Sequence, residues 1–504
     1  MPDRRRPPGN AREASASRGA ADAERGVRTE APPAPGAPAE IGLALVSYLA
    51  LAAFVLSRDG FSIPWHYWQL LSRDVLERSP WASLLDLHAQ PPFLNSLLAA
   101  ILALSRATGL SPETVGAAVQ LVAGAAGVTA VGLLASRLLA SRAARVAVLA
   151  LVVLNPFLYA SIAHFTYTPW EMVFLAWMGV FALGWYERPT PARLAALLAA
   201  ALVVIHTRTA WHPAWFVGVL ALAIAPVRAR LAGRGRAVAA VALGAVLLLA
   251  AWPAKNLARF GFFGFSSWQG YYSARNVVDS GFVEGFFARS DPSTRDPAVA
   301  ARLEQLVPAE WQERPAVARL VKSDGSPNWN HASVIPLFRE LGRVARGILR
   351  ERPGLLLERL RMYYLNGIAT WEGRNPYTDR LGWDLVRGEE RDEAWPRLYE
   401  AVAVQRFRAR ESATEPRVTT GMAFLYPVLL LAPLTVLWRR RHRFGPAEST
   451  VALMAFCGLW VTALLLVVDG MEGARGRWAV QPFLFVAFAW TVEALRARRA
   501  RASA

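Results

Sequence analysis

The chain has 504 residues, 54% of them hydrophobic and 19% charged, with 19 tryptophans and a formal net charge of +18. Its mean hydropathy is +0.25, which excludes a disordered protein and argues against an ordinary soluble domain. The positive charge is nearly all arginine placed just outside apolar runs, as a membrane topology predicts, so nucleic acid is not an expected partner.

From the N-terminus, residues 1–39 are rich in Pro, Ala and Arg and read as a disordered cytoplasmic tail. No small-residue cleavage site follows the first apolar run, so that run reads as an uncleaved anchor. Apolar segments at 41–56, 115–136, 145–163, 169–186, 191–206, 213–227, 237–252, 421–438, 449–468 and 478–495 predict an all-α polytopic membrane protein with about ten transmembrane helices. The expected organisation is a transmembrane module over 40–252, an extracytoplasmic region over 253–420, C-terminal helices over 421–495 and a basic tail over 496–504. The single cysteine, Cys457, lies inside an apolar run, which excludes an intrachain disulfide and a cysteine-rich metal site.

One apolar run, 93–105, breaks this pattern. At 1.5 Å per residue it covers only about 20 Å of a hydrocarbon core roughly 30 Å thick. Arginines at 137, 142 and 145, at 188 and 193, at 228–236, at 439–443 and at 496–501 mark alternate connections, whereas HFTYTP (164–169), HTRTAWH (206–212) and DGMEGARGR (469–477) carry fewer cations. Basic loops and both termini share the cytoplasmic side only if 93–105 does not cross. It therefore reads as a juxtamembrane helix, entered through Pro91 and Pro92, after an outer loop at 57–92. The outer region beyond the seventh span carries amphipathic stretches at 297–307, 333–350 and 353–371. No P-loop, GxGxxG or CxxC is present, and no internal repeat.

The order and sidedness of three motifs, HAQPPF (88–93), TPWE (168–171) and EGARGRWAVQP (472–482), resemble the GT-C glycosyltransferases. More narrowly they resemble the bacterial relatives of protein O-mannosyltransferases and aminoarabinose transferases, glycosyltransferase family 39-like. The resemblance spans roughly residues 41–495 and implies a GT-C-like fold with juxtamembrane helices in the first outer loop and a large outer loop after the seventh span. It implies transfer of a sugar from a polyprenyl-phosphate donor to a glycan, lipid or protein acceptor outside the cell membrane, with a divalent metal ion as a candidate cofactor. In one place the chain departs from the family. Where relatives carry an acidic pair, this sequence has Trp65 and His66. The nearest acid upstream is Asp59, and Asp74, Glu77 and Asp86 lie downstream.

The reaction needs a carboxylate to take the acceptor's proton and cations to meet the departing phosphate. Asp59 is the first candidate base, although an acid there also reads as a solvated helix end. Glu171 matches the family's second acidic position, or is an acid favoured by the helix dipole. Asp86 is weaker and reads also as the end of the WASLLDL segment. His88 and Gln90 are candidates for a metal or sugar hydroxyl, or for bonds to local backbone. His206, Arg208, His212, Lys255, Arg259, Arg475 and Arg477 lie on the outer side, where cations have no topological role. They fit phosphate oxygens or lipid headgroups. Trp268, Gln269, Tyr271, Arg275 and Asn276, together with NWNH (328–331) and Glu472, are candidate sugar contacts, and an interfacial aromatic belt is the alternative. The rival readings are a catalytically inactive GT-C relative acting in envelope assembly and a transporter of lipid-linked saccharides.

Overall fold

The computed structural model describes residues 36–275, 301, 305, 307–363, 420–441, 444–467 and 473–503. Residues 1–35 of the predicted tail 1–39, most of 297–307, the end of the 353–371 stretch, Asn276 and Glu472 lie outside them, and residues 37–39 of that tail belong to the first helix. In chain order the helices are α1 (Ala37–Asp59), α2 (Arg73–Arg78), α3 (Pro80–Leu85), α4 (Phe93–Thr108), α5 (Pro112–Leu138), α6 (Arg142–Val153) and α7 (Pro156–Ala163). There follow α8 (Thr168–Glu187), α9 (Pro191–Thr207), α10 (Pro213–Ile224), α11 (Gly235–Phe260) and α12 (Gln269–Arg275). The last are α13 (Val334–Glu351), α14 (Gly354–Tyr363), α15 (Thr420–Arg439), α16 (Pro446–Val467) and α17 (Gly473–Ser503). Among the described residues there is no sheet, only isolated bridges between Ser62 and His164 and between Val321 and Pro327.

Six of these helices are long and apolar enough to cross a membrane. The helices Pro191–Thr207 and Tyr426–Arg439 are shorter apolar members of the bundle. Leu43, Val46, Leu49 and Phe54 of α1, and Leu243, Leu247 and Leu248 of α11, are exposed. A belt of this kind is stable only against hydrocarbon.

Local chemistry sets the boundaries, and three of them differ from the sequence reading. The segment 145–163 is two helices, because Pro156 cannot donate to the turn before it and the chain breaks at Leu154 and Asn155. The segment 237–252 does not stop at Pro253, which sits inside α11; the helix runs to Phe260 and carries Lys255 and Arg259 on its last turns. The last segment continues through the basic residues to Ser503.

The bundle has two chemically distinct ends. At one, Arg145 pairs with Glu40 at 2.7 Å, Arg137 pairs with Glu187, and the Glu493 carboxylate accepts from the Ala140 and Ser141 amides at 2.9 Å. At the other, the Ser62 amide donates to Ala163 O at 3.0 Å and Gln120 Nε2 donates to His164 O at 3.1 Å. The α4 helix keeps both its ends at this second end. The chain just before it is held by Lys255, which donates to Leu87 O, and Arg106 Nη1 near its C-terminus donates to Glu77 O at 2.7 Å. Gly109, at φ 72°, then caps α4 and turns the chain into α5. The 93–105 run thus lies across the end of the bundle, a juxtamembrane helix.

A cap of non-spanning elements covers the same end. Lys322 is buried in it, and its Nζ donates to Trp65 O at 3.0 Å and to Tyr67 O at 2.6 Å. Burial lowers the Lys322 ammonium to about 8. The α12 and α13 helices cross at Gly270 and Gly342, so closely that a Cβ on Gly270 would lie 1.7 Å from Phe338 O.

Candidate functional site

The centre of this end is the five-residue stretch Asp86–Gln90. The Asn330 side chain clamps it: its Oδ1 accepts from the His88 and Ala89 amides at 2.8 and 3.0 Å, and its Nδ2 donates to Asp86 O at 3.0 Å. From the other side the Ser267 amide donates to His88 O at 3.0 Å and the Ser266 hydroxyl donates to Ala89 O. With its backbone held by two distant segments, this stretch presents its side chains in fixed positions.

Those side chains are buried and incompletely bonded. Asp86 is 6% exposed, with Oδ1 at 3.3 Å from Arg259 and 3.6 Å from Arg314, too loosely set to form a hydrogen bond. His88 is fully buried, shares a hydrogen bond between Nδ1 and Ser267 Oγ at 2.9 Å, and leaves Nε2 without a partner. Gln90 is buried with Nε2 unpartnered. Leaving a buried polar group unbonded costs about 1–3 kcal/mol. His88 Nε2 and Gln90 Nε2 are two such atoms, and with Asp86, whose Oδ1 is held by ion pairs alone, they mark alternate positions of one clamped segment as a candidate polar site.

The electrostatics are cationic. Lys255 lies 3.7 Å from the centre of the Trp252 ring and 5.3 Å from that of Phe260, while donating to Leu87 O. Arg259 and Arg314 thus flank a single carboxylate, and Lys255 acts on it electrostatically. Burial pushes the Asp86 carboxyl above the ordinary range, and those three cations oppose the shift. Burial, reinforced by Lys255, lowers the His88 imidazole to about 3, so it is neutral at physiological pH. Among the described residues no three His, Cys, Asp or Glu side chains gather as a bound metal would need. The positive charge facing Asp86 comes from arginine and lysine.

A second group of the predicted residues gathers around the start of α8. Glu171 is 1% exposed and its Oε1 accepts from the Trp211 indole at 2.8 Å. Arg208 is buried, its guanidinium 5.0 Å from the centre of the Tyr167 ring. His206 Nδ1 lies 2.7 Å from Leu202 O, and its ring meets the edge of Phe265 at 5.7 Å. Phe265 O accepts from Trp252 Nε1 at 3.1 Å, linking this group to the wall beside Lys255.

Other candidates have different roles. Trp268 is 3% exposed, stacked on Trp68 at 4.3 Å and packed against Trp329 and Phe338. It is the centre of a packed aromatic cluster. Tyr271 stacks on Phe338 at 5.3 Å. Within NWNH, Asn328 donates to Ala316 O and Arg319 O, and His331 bonds with Ser333, so the motif builds the clamp. His212 is exposed and accepts from the Ala214 amide at 3.2 Å as the N-cap of α10. Gln269 is exposed at the start of α12. Asp59 ends α1, Arg275 ends α12, and Arg475 and Arg477 lie in the first turns of α17; their side chains lie outside the described residues. Arg314 is not among the sequence candidates, and Asn330 is among them only as part of NWNH, as a sugar contact and not as the clamp. Arg314 could have been found by the rule that singled out Lys255, since it too is a cation outside the basic loops.

No protein-family model and no curated protein matches the chain. A comparison with solved structures finds the apo crystal structure of ArnT from Cupriavidus metallidurans, 17% identical, covering 84% of this chain and 77% of that one, with a TM-score of 0.34.

Proposed function

We propose that this protein is an integral-membrane GT-C-type glycosyltransferase that moves a sugar from a polyprenyl-phosphate donor to an acceptor at the outer face. The observation that carries the reading is the buried Asp86–Gln90 stretch, with unpartnered polar atoms on His88 and Gln90, with Arg259 and Arg314 paired to the Asp86 carboxylate and with Lys255 acting on it. A phosphate next to a membrane needs such cations, and a sugar needs fixed donors and acceptors beside it.

In the proposed reaction the acceptor's hydroxyl oxygen attacks the anomeric carbon and the bond from that carbon to the phosphate oxygen breaks. The electron pair leaves with polyprenyl phosphate, whose charge Lys255, Arg259 and Arg314 meet. The acceptor's proton passes to a carboxylate, and the configuration inverts. Asp59 is one candidate base. Asp86 is the other, since phosphate oxygens arriving at Arg259 and Arg314 compete with its carboxylate and release it. Glu171 and the neutral His88 position groups around the sugar.

The test is transfer of labelled sugar from a panel of polyprenyl-phosphate donors by membranes containing the protein, with Asp59→Asn, Asp86→Asn and Lys255→Gln alongside at matched expression. Donor consumption lost in Asp86→Asn but kept in Asp59→Asn assigns the base to Asp86, and the reverse assigns it to Asp59. Binding of donors without consumption by any form of the protein would replace the enzyme with the inactive relative. That second reading draws on the pairing of Asp86 with two arginines, which is also the form of a structural ion pair.

A further inference from the structure

At the end of the bundle opposite this site, α15, α16 and α17 enclose an open groove of about 1040 Å³ lined by Arg439, Arg440, Arg498 and Arg501, with Glu448, Val436 and Leu495. Most arginines at this end have a local partner. Arg145 and Arg137 pair with Glu40 and Glu187, and Arg230 and Arg234 donate to the carbonyls of Tyr186 and Pro189. In the groove only Arg440 is matched, by Glu448 at 2.9 Å. Among the described residues Arg439, Arg498 and Arg501 have no carboxylate within ion-pair distance. Glu493, which precedes them on α17, is bonded instead to the Ala140 and Ser141 amides.

We infer that this groove binds the headgroup of an anionic phospholipid, best one with two phosphates. Three unmatched guanidiniums drawn from two helices offer forked donors to phosphate oxygens, and their three charges exceed the single charge of one phosphodiester. The occupant is a membrane lipid rather than a soluble phosphate because the lining is half apolar. Val436 and Leu495 form part of it, and α15 further exposes Val428, Leu431 and Trp438, a surface suited to acyl chains and the interface. Arginine placed only to set topology needs no groove and no convergence. Here two helices bring their charges into one concavity.

The experiment is native mass spectrometry of the full chain in detergent, titrated with cardiolipin, phosphatidylglycerol and phosphatidylcholine. The double substitution Arg498→Gln with Arg501→Gln changes exposed side chains and should leave thermal stability unchanged. It should weaken cardiolipin roughly 10- to 30-fold, from a gain of about 1 kcal/mol per cation. Arg439→Gln, on the other helix, should weaken it by itself about five-fold. Arg228→Gln with Arg236→Gln removes as much exposed charge elsewhere and should change it less than about two-fold. Equal losses in the two double variants would mean diffuse charge, and no loss in either would remove the site; both overturn the inference. So would glycerophosphate or pyrophosphate binding as tightly as cardiolipin.

Discussion

At the scale of single residues, Asp86 and His88 give opposite kinds of prediction. Asp86 occupies the cations that the proposed phosphate needs, so Asp86→Asn should bind polyprenyl phosphate roughly ten-fold more tightly, the scale of one charge-assisted hydrogen bond. Lys255→Gln should bind it at least about ten-fold more weakly. Equilibrium binding of fluorescent polyprenyl phosphate in detergent reads both, and an unchanged affinity in Asp86→Asn would show that the carboxylate does not compete. His88 is a matter of pH. Its imidazole is held at about 3 when folded against roughly 6.5 when unfolded. Between those values the unfolded chain binds a proton that the folded chain does not. His88 therefore adds no penalty above about pH 6.5, and stability falls as the pH drops below it, by about 1.4 kcal/mol for each pH unit. Thermal unfolding between pH 8 and pH 5 should show a steeper acid loss for the parent protein than for His88→Asn. Parallel slopes would mean that the ring is hydrated.

At the scale of elements, the site depends on distant segments being held against residues 86–90. Asn330 lies 242 residues from His88 and makes both bonds that fix its peptide and the next. The α12–α13 crossing seats the aromatic cluster beside Ala89 and leaves no room at Gly270. Gly270→Ala should cost about 1–3 kcal/mol or more through overpacking. Gly347→Ala, on the same α13 with open space around it, should be neutral or slightly stabilising. Melting temperatures of the two variants decide this, and equal values would mean that the crossing is not tight. The same elements show what could be read in the sequence. Hydropathy and charge placed nearly every bundle helix, and the rule that outer cations lack a topological role found Lys255 and Arg259 even though α11 was expected to end before them. Aromatic rings and amides suit a sugar and each other equally well, so the sequence alone does not separate a ligand contact from packing at Trp268 and NWNH. Only the fold shows that Trp68, Trp268, Trp329 and Phe338 meet. Arg314 and Asn330 meet residues 86–88 across more than two hundred residues; the cation and the NWNH motif are visible locally, but their pairing with Asp86 and His88 is not.

At the scale of the whole molecule, the two ends of the bundle differ in chemistry, and the proposed reaction depends on which faces out. One end joins Glu40, Glu187 and Glu493 to the arginines and amides of the short loops; the other holds Asp86, Lys255 and the α12–α13 cap. Positive-inside topology predicts that the first faces the cytoplasm. A lipid-linked donor would then present its phosphate to Lys255 from the outer leaflet, and the acceptor would lie outside. This is testable without knowing either substrate. With the buried Cys457 replaced by Ala, exposed Ala229 marks the arginine-rich end and exposed Gln312 marks the cap. In intact cells a membrane-impermeant maleimide should label Gln312→Cys and leave Ala229→Cys unmodified until the membrane is opened. Labelling in the reverse order would turn the site to the cytoplasm. Phosphate chemistry could still occur there, but transfer to an outer acceptor could not, and the anionic-lipid groove would then face the outer leaflet.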